Sequence, residues 1–501
     1  MTLLDVSIVN VALPSIRTGI GASQSGLQWV LSGYALAFGL ALVPAGRLGD
    51  VRGRRTMFMA GLALFTLASA LAGAAQNEGW LIGARLLQGA AGGVLVPQVS
   101  GFIQQMFQGA ERGRAFGLLG ATIGVSTAVG PLLGGLLIQL FGSREGWRWV
   151  FYVNLPIGAV LLPLAYRLLP GRARPEGAQD RDGTDAGGGR DAAGGAARGR
   201  GGGRGGGRGD LDPFGVLLLG AGTVILLLPF VEERQWAGAG KWLLVPLAVL
   251  VLGAFVAWER RYRRHGEPLV DLGLFRRRSY GLGTLLSLLY FAGFTSIFFV
   301  LTLFLQNGMR YSALEAGLSI MPFALGSGAA AAVGGRVVTR VGRPLVAAGL
   351  GMVVVGLLGA ALAVELDDTR SVGFATALPL LFAGIGSGLV ISPNQTLTLS
   401  EVPVDRAGSA GGVLQTAQRI GSAAGIAAVG SVFFARAGGA RPDWSAGLRH
   451  GLLASTGLAA VALLVALFDV FSGPANTPEP GPANTPDSGP ANTPNRGGDR
   501  A

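Results

Sequence analysis

Fourteen long apolar runs divide the chain, at about 1–16, 27–45, 56–75, 80–106, 115–140, 149–168, 214–231, 242–258, 281–305, 314–334, 344–364, 372–393, 409–435 and 450–472. No other feature narrows the possible folds so far. A backbone placed in hydrocarbon must satisfy its own hydrogen bonds, and a run far beyond strand length does so only as a helix. Only 14% of residues are charged, against about a quarter in soluble chains, so the runs read as spans and not as a soluble core. The expected fold is an all-α polytopic membrane protein.

Basic charge supplies the orientation. With the N-terminus inside, the inner connections hold 28 basic residues and the outer ones ten. That excess places both termini in the cytoplasm and the chain, multi-pass, in the inner (plasma) membrane. The arginines sit in connections between spans, which is the topogenic pattern and not a nucleic-acid face. The first run is short: Asp5 lies near the start and the helix is expected to end between Pro14 and Arg17, as though its first turns were missing. No basic segment precedes it, so a cleavable signal is not expected.

The runs group into units. Residues 1–168 form a six-helix bundle, 213–258 an extra pair of helices 7 and 8, and 281–472 a second six-helix bundle. Between them lie a Gly/Arg linker, 169–212, and a basic cytoplasmic loop, 259–280. The linker contains RGGGRGGGRG and has almost nothing to bury, so it is expected to be disordered; RNA binding and contact with anionic headgroups are its two alternatives. The tail 473–501 repeats GPANTP three times and is expected to be extended and disordered. Gly/Arg turns recur in matching places, GRLGDVRGRR at 46–55 and GGRVVTRVGRP at 334–344. Internal repeats around a midplane site are a transporter architecture.

Several chemistries are excluded. There is no cysteine, hence no disulfide or thiolate site. His265 and His450 lie far apart in polar connections, with no second ligand at helical spacing, so no metal is expected. No GxSxG, HExxH or Walker loop appears. Without a Walker loop, energy would come from an ion gradient, and no cofactor is expected. Asn394–Gln395–Thr396 matches a glycosylation acceptor by chance at a span's end.

Four stretches carry candidate chemistry. Asp5 is the clearest acid inside a span, and a carboxylate in a poorly hydrated cavity can take and release a proton. Arg85 opens RLLQGAAGGVLVP (85–97), about 7.5 Å along the helix from Trp80. It either snorkels to the headgroups or faces a wet cavity shared with Asp5, with Gln88 three residues on. In GRLGDVRGRR, glycines are expected to turn the backbone tightly, and Asp50 to pair with an arginine or cap the next helix. The alternative is an ordinary positive-inside loop. In helix 5 small residues or proline at 117, 120, 124, 128, 131 and 135 line one face, suited to close approach of a partner, and Pro131 kinks it. Arg419, in AQRIGSAAGIAAVG, is either a cavity residue or a snorkelling one near a cytoplasmic end. Tyr34, Phe38, Tyr290, Phe294 and Phe298 line a cavity or, for most of them, face lipid.

Taken together, Asp5 with IVNVALP (8–14), GRLGDVRGRR, RLLQGAAGG, GPLLGG (130–135) and WRWVFYVNLPIG (147–158) resemble the major facilitator superfamily. More narrowly, they resemble its fourteen-span drug–proton antiporters of the EmrB/QacA type, from residue 1 to about 472. The resemblance implies the major facilitator fold, two six-helix bundles plus two extra central helices. It also implies alternating access with export of drugs, antibiotics or similar amphiphiles against protons. It places proton coupling on Asp5 and Arg85; Gln88, Tyr34, Phe38 and Arg419 are candidate cavity residues on the reading of the residues alone. It places the cytoplasmic gate on Gly46, Arg47, Gly49, Asp50, Arg54 and Arg55, and the antiporter signature on Gly120, Gly124, Gly130, Pro131, Gly134 and Gly135. Helix 13 carries no acid, unlike some exporters of divalent cations, so neutral or monovalent substrates are expected. The alternatives are a proton-coupled uptake symporter of the same fold and a non-transport membrane sensor or scaffold.

Overall fold

A computed structural model describes residues 1–142, 144–170, 212–231, 238–264, 268–367, 369, 371–437 and 442–472. The linker from 171 to 211, the GPANTP tail from 473 and His265 lie outside the described residues. The regular structure is helical throughout: α1 Thr2–Ile20, α2 Gln24–Arg52, α3 Arg54–Gly73, α4 Glu78–Met106, α5 Gly109–Phe141, α6 Gly146–Tyr152 and α7 Asn154–Leu168. Then come α8 Pro213–Val231, α9 Leu244–Tyr262, α10 Arg278–Leu303, α11 Ala313–Val341, α12 Arg343–Leu366, α13 Val372–Ala375, α14 Ala377–Thr398, α15 Ala407–Ala437 and α16 Trp444–Phe471. Among the described residues twelve helical units are long and apolar enough to cross a membrane, with α6–α7 and α13–α14 each counting as one. Helices α1 and α8 are shorter or less apolar and stand where the first and seventh spans are expected.

Helices α1–α7 pack among themselves, as do α10–α16. Each half has its own apolar core, the first around Ile8, Ile16, Trp147 and Phe151, the second around Phe304, Phe323, Leu350 and Phe433. The halves meet along two seams, α5 against α11 and α2 against α15. Helices α8 and α9 pair with each other, and α8 rests against α2 and α15 at the second seam. Leu243, Val249 and Leu250 face outward from this pair, as lipid-facing side chains do.

Charged helix ends extend several spans beyond their apolar runs. Helix α1 passes through Pro14 and stops at Gly21, whose φ of 65° closes the C-terminus in the left-handed conformation. Proline costs the helix one hydrogen bond without ending it. Helix α2 likewise runs on through Arg52, and Gly53 alone, at φ 106°, makes the turn into α3. Gly342, at φ 67°, makes the matching turn between α11 and α12. His450 lies within α16 and bonds to the Ala446 carbonyl at 2.7 Å through Nδ1, so it is not in a polar connection. Asn394 donates to the Gly283 carbonyl and the Ser287 hydroxyl, both at 2.9 Å. It is buried and holds helices together.

Candidate functional site

Glycines place the charged cluster of the N-terminal half. A Cβ on Gly89 would come within 2.3 Å of the Tyr34 carbonyl oxygen, and one on Gly93 within 2.5 Å of that of Phe38. Bare glycine backbone therefore lets α4 lie directly on α2, and Arg85 and Gln88 on the same helix reach the centre of the bundle. There the Arg85 Nη1 donates to Asp5 Oδ2 and to Gln88 Oε1, each at 2.6 Å. Its Nε donates to the Val30 carbonyl at 3.1 Å, and its guanidinium lies 4.2 Å from the Tyr34 ring centroid. Gln88 Nε2 donates to Asp5 Oδ1 at 2.7 Å and to Ser69 Oγ at 2.8 Å. Asn154 Nδ2 adds a third donor to the carboxylate at 3.2 Å.

Asp5 is 0% exposed and Arg85 1%. The two share one interior pocket, as expected, and snorkelling of Arg85 is ruled out because its hydrogen bonds point inward. The pocket is more closed than the expected wet cavity: both groups are buried, and polar side chains with the Val30 carbonyl bond to them. Ser69 and Asn154 escaped sequence reasoning. Asn154 sits inside WRWVFYVNLPIG and was legible as a polar residue in an apolar motif; Ser69, in an unremarkable alanine-rich run, gave no signal.

At the α2–α3 end the stretch GRLGDVRGRR is helix, not loop. Gly46, Arg47, Gly49 and Asp50 occupy the last turns of α2, and Arg54 and Arg55 open α3. Gly46 and Gly49 are sites of close approach and not of turning: a Cβ on Gly46 would fall 2.3 Å from the Gly408 carbonyl oxygen, and one on Gly49 would fall 1.9 Å from Gln98 Oε1. The Asp50 carboxylate accepts from the backbone amides of Gly408 at 3.0 Å and Ser409 at 2.9 Å. It thus caps α15, in the other half, and not the next helix. Asp50 also pairs with Arg54 Nη2 at 2.8 Å. Arg54 in turn donates to the Gly101 carbonyl at 3.0 Å and, across the seam, to the carbonyl of Val404. Arg55 bonds the Tyr166 carbonyl and lies over its ring, within its own half. Arg47 acts on Glu259 of α9 electrostatically. The contacts that cross at this end form one latch. Ile103 and Phe116 of the first half pack there with Tyr280, Leu399 and Leu414 of the second.

The second half echoes the arrangement with different parts. Arg343, just past Gly342, pairs with Asp469 of α16 at 2.9 Å, and Arg278 shares the same carboxylate at 3.2 Å.

The small-residue face of α5 divides between two partners. A Cβ on Gly117, Gly120 or Gly124 would press on Ala331 or Gly328 of α11 at 2.8, 3.0 and 3.0 Å. Pro131 faces Gly317 of the same helix. Gly130 and Gly134 instead face α1, where a Cβ would lie 1.8 Å from Ser7 Oγ and 2.9 Å from Ile8 Cγ1. Gly135 has nothing within 4 Å and does not belong to the contact face. A helix turns about 100° per residue, so the stripe drifts from one neighbour to the other along α5.

Lipid exposure does not describe the aromatic residues. Tyr34, Phe38 and Tyr290 are buried, and Phe294 and Phe298 pack against the C-terminal core. Arg419 is not near a helix end: it lies twelve residues into α15, about 18 Å along the axis, with its guanidinium 4.6 Å from the Phe38 ring. Sequence reasoning also missed two acids beside the extra helix pair. Asp212 and Glu259 are 2% and 1% exposed, and Trp258 Nε1 donates to Asp212 at 2.6 Å. The apolar run ended at residue 258, which hid Glu259 from view.

The profile of the Major Facilitator Superfamily matches residues 1–426. The probable actinorhodin transporter of Streptomyces coelicolor is 35% identical over 443 residues, 87% of this chain and 70% of that protein. The puromycin resistance protein of Streptomyces alboniger is 35% identical over 86% of this chain and 79% of its own. The multidrug resistance protein Stp of Mycobacterium tuberculosis is 33% identical over 87% and 74%. Among solved structures, the human organic anion transporter MFSD10 superposes with a TM-score of 0.61 at 16% identity, over 93% of this chain and 96% of that one. The proton:xylose symporter XylE does so with 0.61 at 14%, over 93% and 92%; at these identities the likeness is one of fold. On the family match and these relatives, the chain is a multi-pass membrane protein that belongs to the Major Facilitator Superfamily.

Proposed function

We propose that this protein exports drugs, antibiotics or similar amphiphilic small molecules in exchange for protons, by alternating access. On this reading it crosses the inner membrane fourteen times, with α1 and α8 as spans and both termini cytoplasmic, as in the EmrB/QacA type. The relatives' names support the cargo class. The observation that carries the proton side is Asp5: one acid, sealed at the centre of the N-terminal half and held by Arg85, Gln88 and Asn154. A buried carboxylate is kept either by neutralisation or by partners, so loss or gain of its proton changes which packing is favoured. The charge asymmetry assigns the α2–α3 end to the cytoplasm, and the Asp50 latch then describes a state closed on that side.

In everted vesicles, substrate is expected to collapse an imposed pH gradient, and Asp5→Asn to abolish that collapse while the protein still folds and inserts. Undiminished collapse by the Asn variant would remove Asp5 from the coupling role. The direction of substrate flux in whole cells separates export from uptake. Full export after deletion of 171–210 would confine the linker to spacer duty and set aside a scaffold function.

A further inference from the structure

Two arginines lie deep within the bundle, and they are not equivalent. Arg85 and Arg419 sit at opposite ends of one short aromatic stack. Arg85 lies 4.2 Å from the Tyr34 ring, Tyr34 stacks on Phe38 with centroids 6.0 Å apart, and Arg419 lies 4.6 Å from Phe38. Arg85 has its carboxylate. Arg419 has none: among the described residues no acid pairs with it, and its buried Nε has no hydrogen-bond partner.

A guanidinium keeps its charge and offers five donors in a planar fork. Arg419 is half-buried, but its Nε is shut off from water with no partner; leaving that donor unpaired is costly, and the quadrupole of one phenyl ring compensates only in part. Snorkelling is no remedy, because Arg419 is about 18 Å from the start of α15 and about 27 Å from its end. Among the described residues the helices packed against α15 do not supply a free anion either: Glu78 of α4 is bonded to Ser23 and Asp469 of α16 to Arg278 and Arg343. On α2 the nearest acid is Asp50, committed to Arg54, Gly408 and Ser409. On α10 the group facing α15 is neutral, Thr295 bonding Ser422 at 2.8 Å. The position is also the seam between the halves, where α2 meets α15, and an alternating-access cycle opens that seam.

We propose that Arg419 is an anion-recognition residue of the transport path, pairing with a carboxylate or phenolate on an aromatic substrate whose ring system lies against Phe38. The inference rests on the exporter reading for its context but not for its test. The fork matches a carboxylate in two parallel bonds, and Phe38, buried in this closed state, becomes a flat apolar wall beside it when the α2–α15 seam opens. The substrate class is therefore narrower than neutral or monovalent amphiphiles: planar, apolar and singly acidic.

The test uses the full-length protein in nanodiscs of phosphatidylcholine alone, so that no anionic lipid competes. The probes are pyrenebutyrate and its uncharged amide, with binding measured by equilibrium dialysis and corrected for empty discs. Wild type should bind the acid at least tenfold more tightly than the amide. Arg419→Gln should lose that preference while keeping its affinity for the amide, and Arg419→Lys should recover part of it. An acid-to-amide ratio unchanged in Arg419→Gln, an equal loss of both probes, or no binding of the acid by wild type would each overturn the proposal. Proton-driven flux of the two probes, followed in proteoliposomes, isolates the wider reading. Flux with an unaltered ratio in Arg419→Gln leaves the exporter standing without the anion site. Binding dependent on Arg419 but no proton-driven flux leaves the anion site standing without the exporter.

Discussion

Replacing Gly46 by alanine tests the latch with the smallest possible change. In an exposed helix Gly→Ala stabilises by about 1 kcal/mol. Here the added methyl would sit 2.3 Å from the Gly408 carbonyl oxygen and 2.7 Å from its carbon, and both are backbone atoms that cannot rotate away. Relief to an ordinary contact moves α2 and α15 apart by about 1 Å. The Asp50 bonds to Gly408 and Ser409, now 3.0 and 2.9 Å, then stretch beyond hydrogen-bonding range. Two bonds to a charged acceptor are worth about 1.5–3 kcal/mol each. Water recovers part of that in the open state, so a net loss of about 3 kcal/mol is a fair figure, or about a hundredfold in the closed-to-open ratio. The Asp50–Arg54 pair stays within the first half and survives. Since the chain has no cysteine, Ser100→Cys gives a clean reporter. Ser100 is 1% exposed and faces Gly411 across the seam. In everted vesicles a membrane-impermeant maleimide should label that cysteine about a hundredfold faster once Gly46 is alanine. Equal labelling rates in the two backgrounds, with both proteins folded, would refute the latch.

Two further changes bear on the site. Gln88→Leu removes the bridge between Arg85, Asp5 and Ser69 and strands buried polar groups at about 1–3 kcal/mol each, so the unfolding midpoint in detergent should fall by several degrees and proton-coupled flux should fail. Within helix 5, Gly124→Val meets the backbone of Gly328 at 3.0 Å whereas Gly135→Val meets nothing, so the first should abolish transport and the second leave it near wild type in the same vesicle assay.

The sequence made the helical class and the identity of Asp5 and Arg85 legible, because charge within twenty apolar residues is costly enough to demand a reason. Their partnership was legible only as a shared location; that Gln88 bridges them and Asn154 completes the set depends on how α4, α6 and α7 converge. Helix ends were misjudged wherever charge was taken to end a span. GRLGDVRGRR reads as a loop by composition, yet backbone hydrogen bonding continues through Arg52 and only Gly53 breaks it. The glycines at 46 and 49 looked like turn residues because a sequence does not display the helix lying against them. Gly135 erred in the opposite direction, fitting the spacing but having no neighbour. Contacts between residues some 350 positions apart, such as Asp50 with Gly408, leave no local periodicity to read.

The two halves hold their buried charge differently, and the difference bears on how a proton would drive the proposed cycle. In the second half Asp469 serves two arginines, of which Arg278 is 38% exposed, so water screens that cluster. In the first half the pair is sealed, and the other contacts of Arg85 are neutral: the Val30 carbonyl, Gln88 and the Tyr34 ring. A proton on Asp5 would leave that guanidinium uncompensated, a state costing about 3–5 kcal/mol in a dry site. Among the described residues no second anion bonds to Arg85, so relief requires α1, α2 and α4 to shift and admit water. Helix α2 carries both Tyr34 and Asp50, and a shift at one end strains the latch at the other. Asp5→Asn imitates the protonated carboxyl, and in the exchange reading it should raise labelling of Ser100→Cys at least tenfold with no change at Gly46. A seam as closed in the Asn variant as in wild type would mean that protonation and opening are separate events, and Asp5 would then be a packing residue and not the trigger.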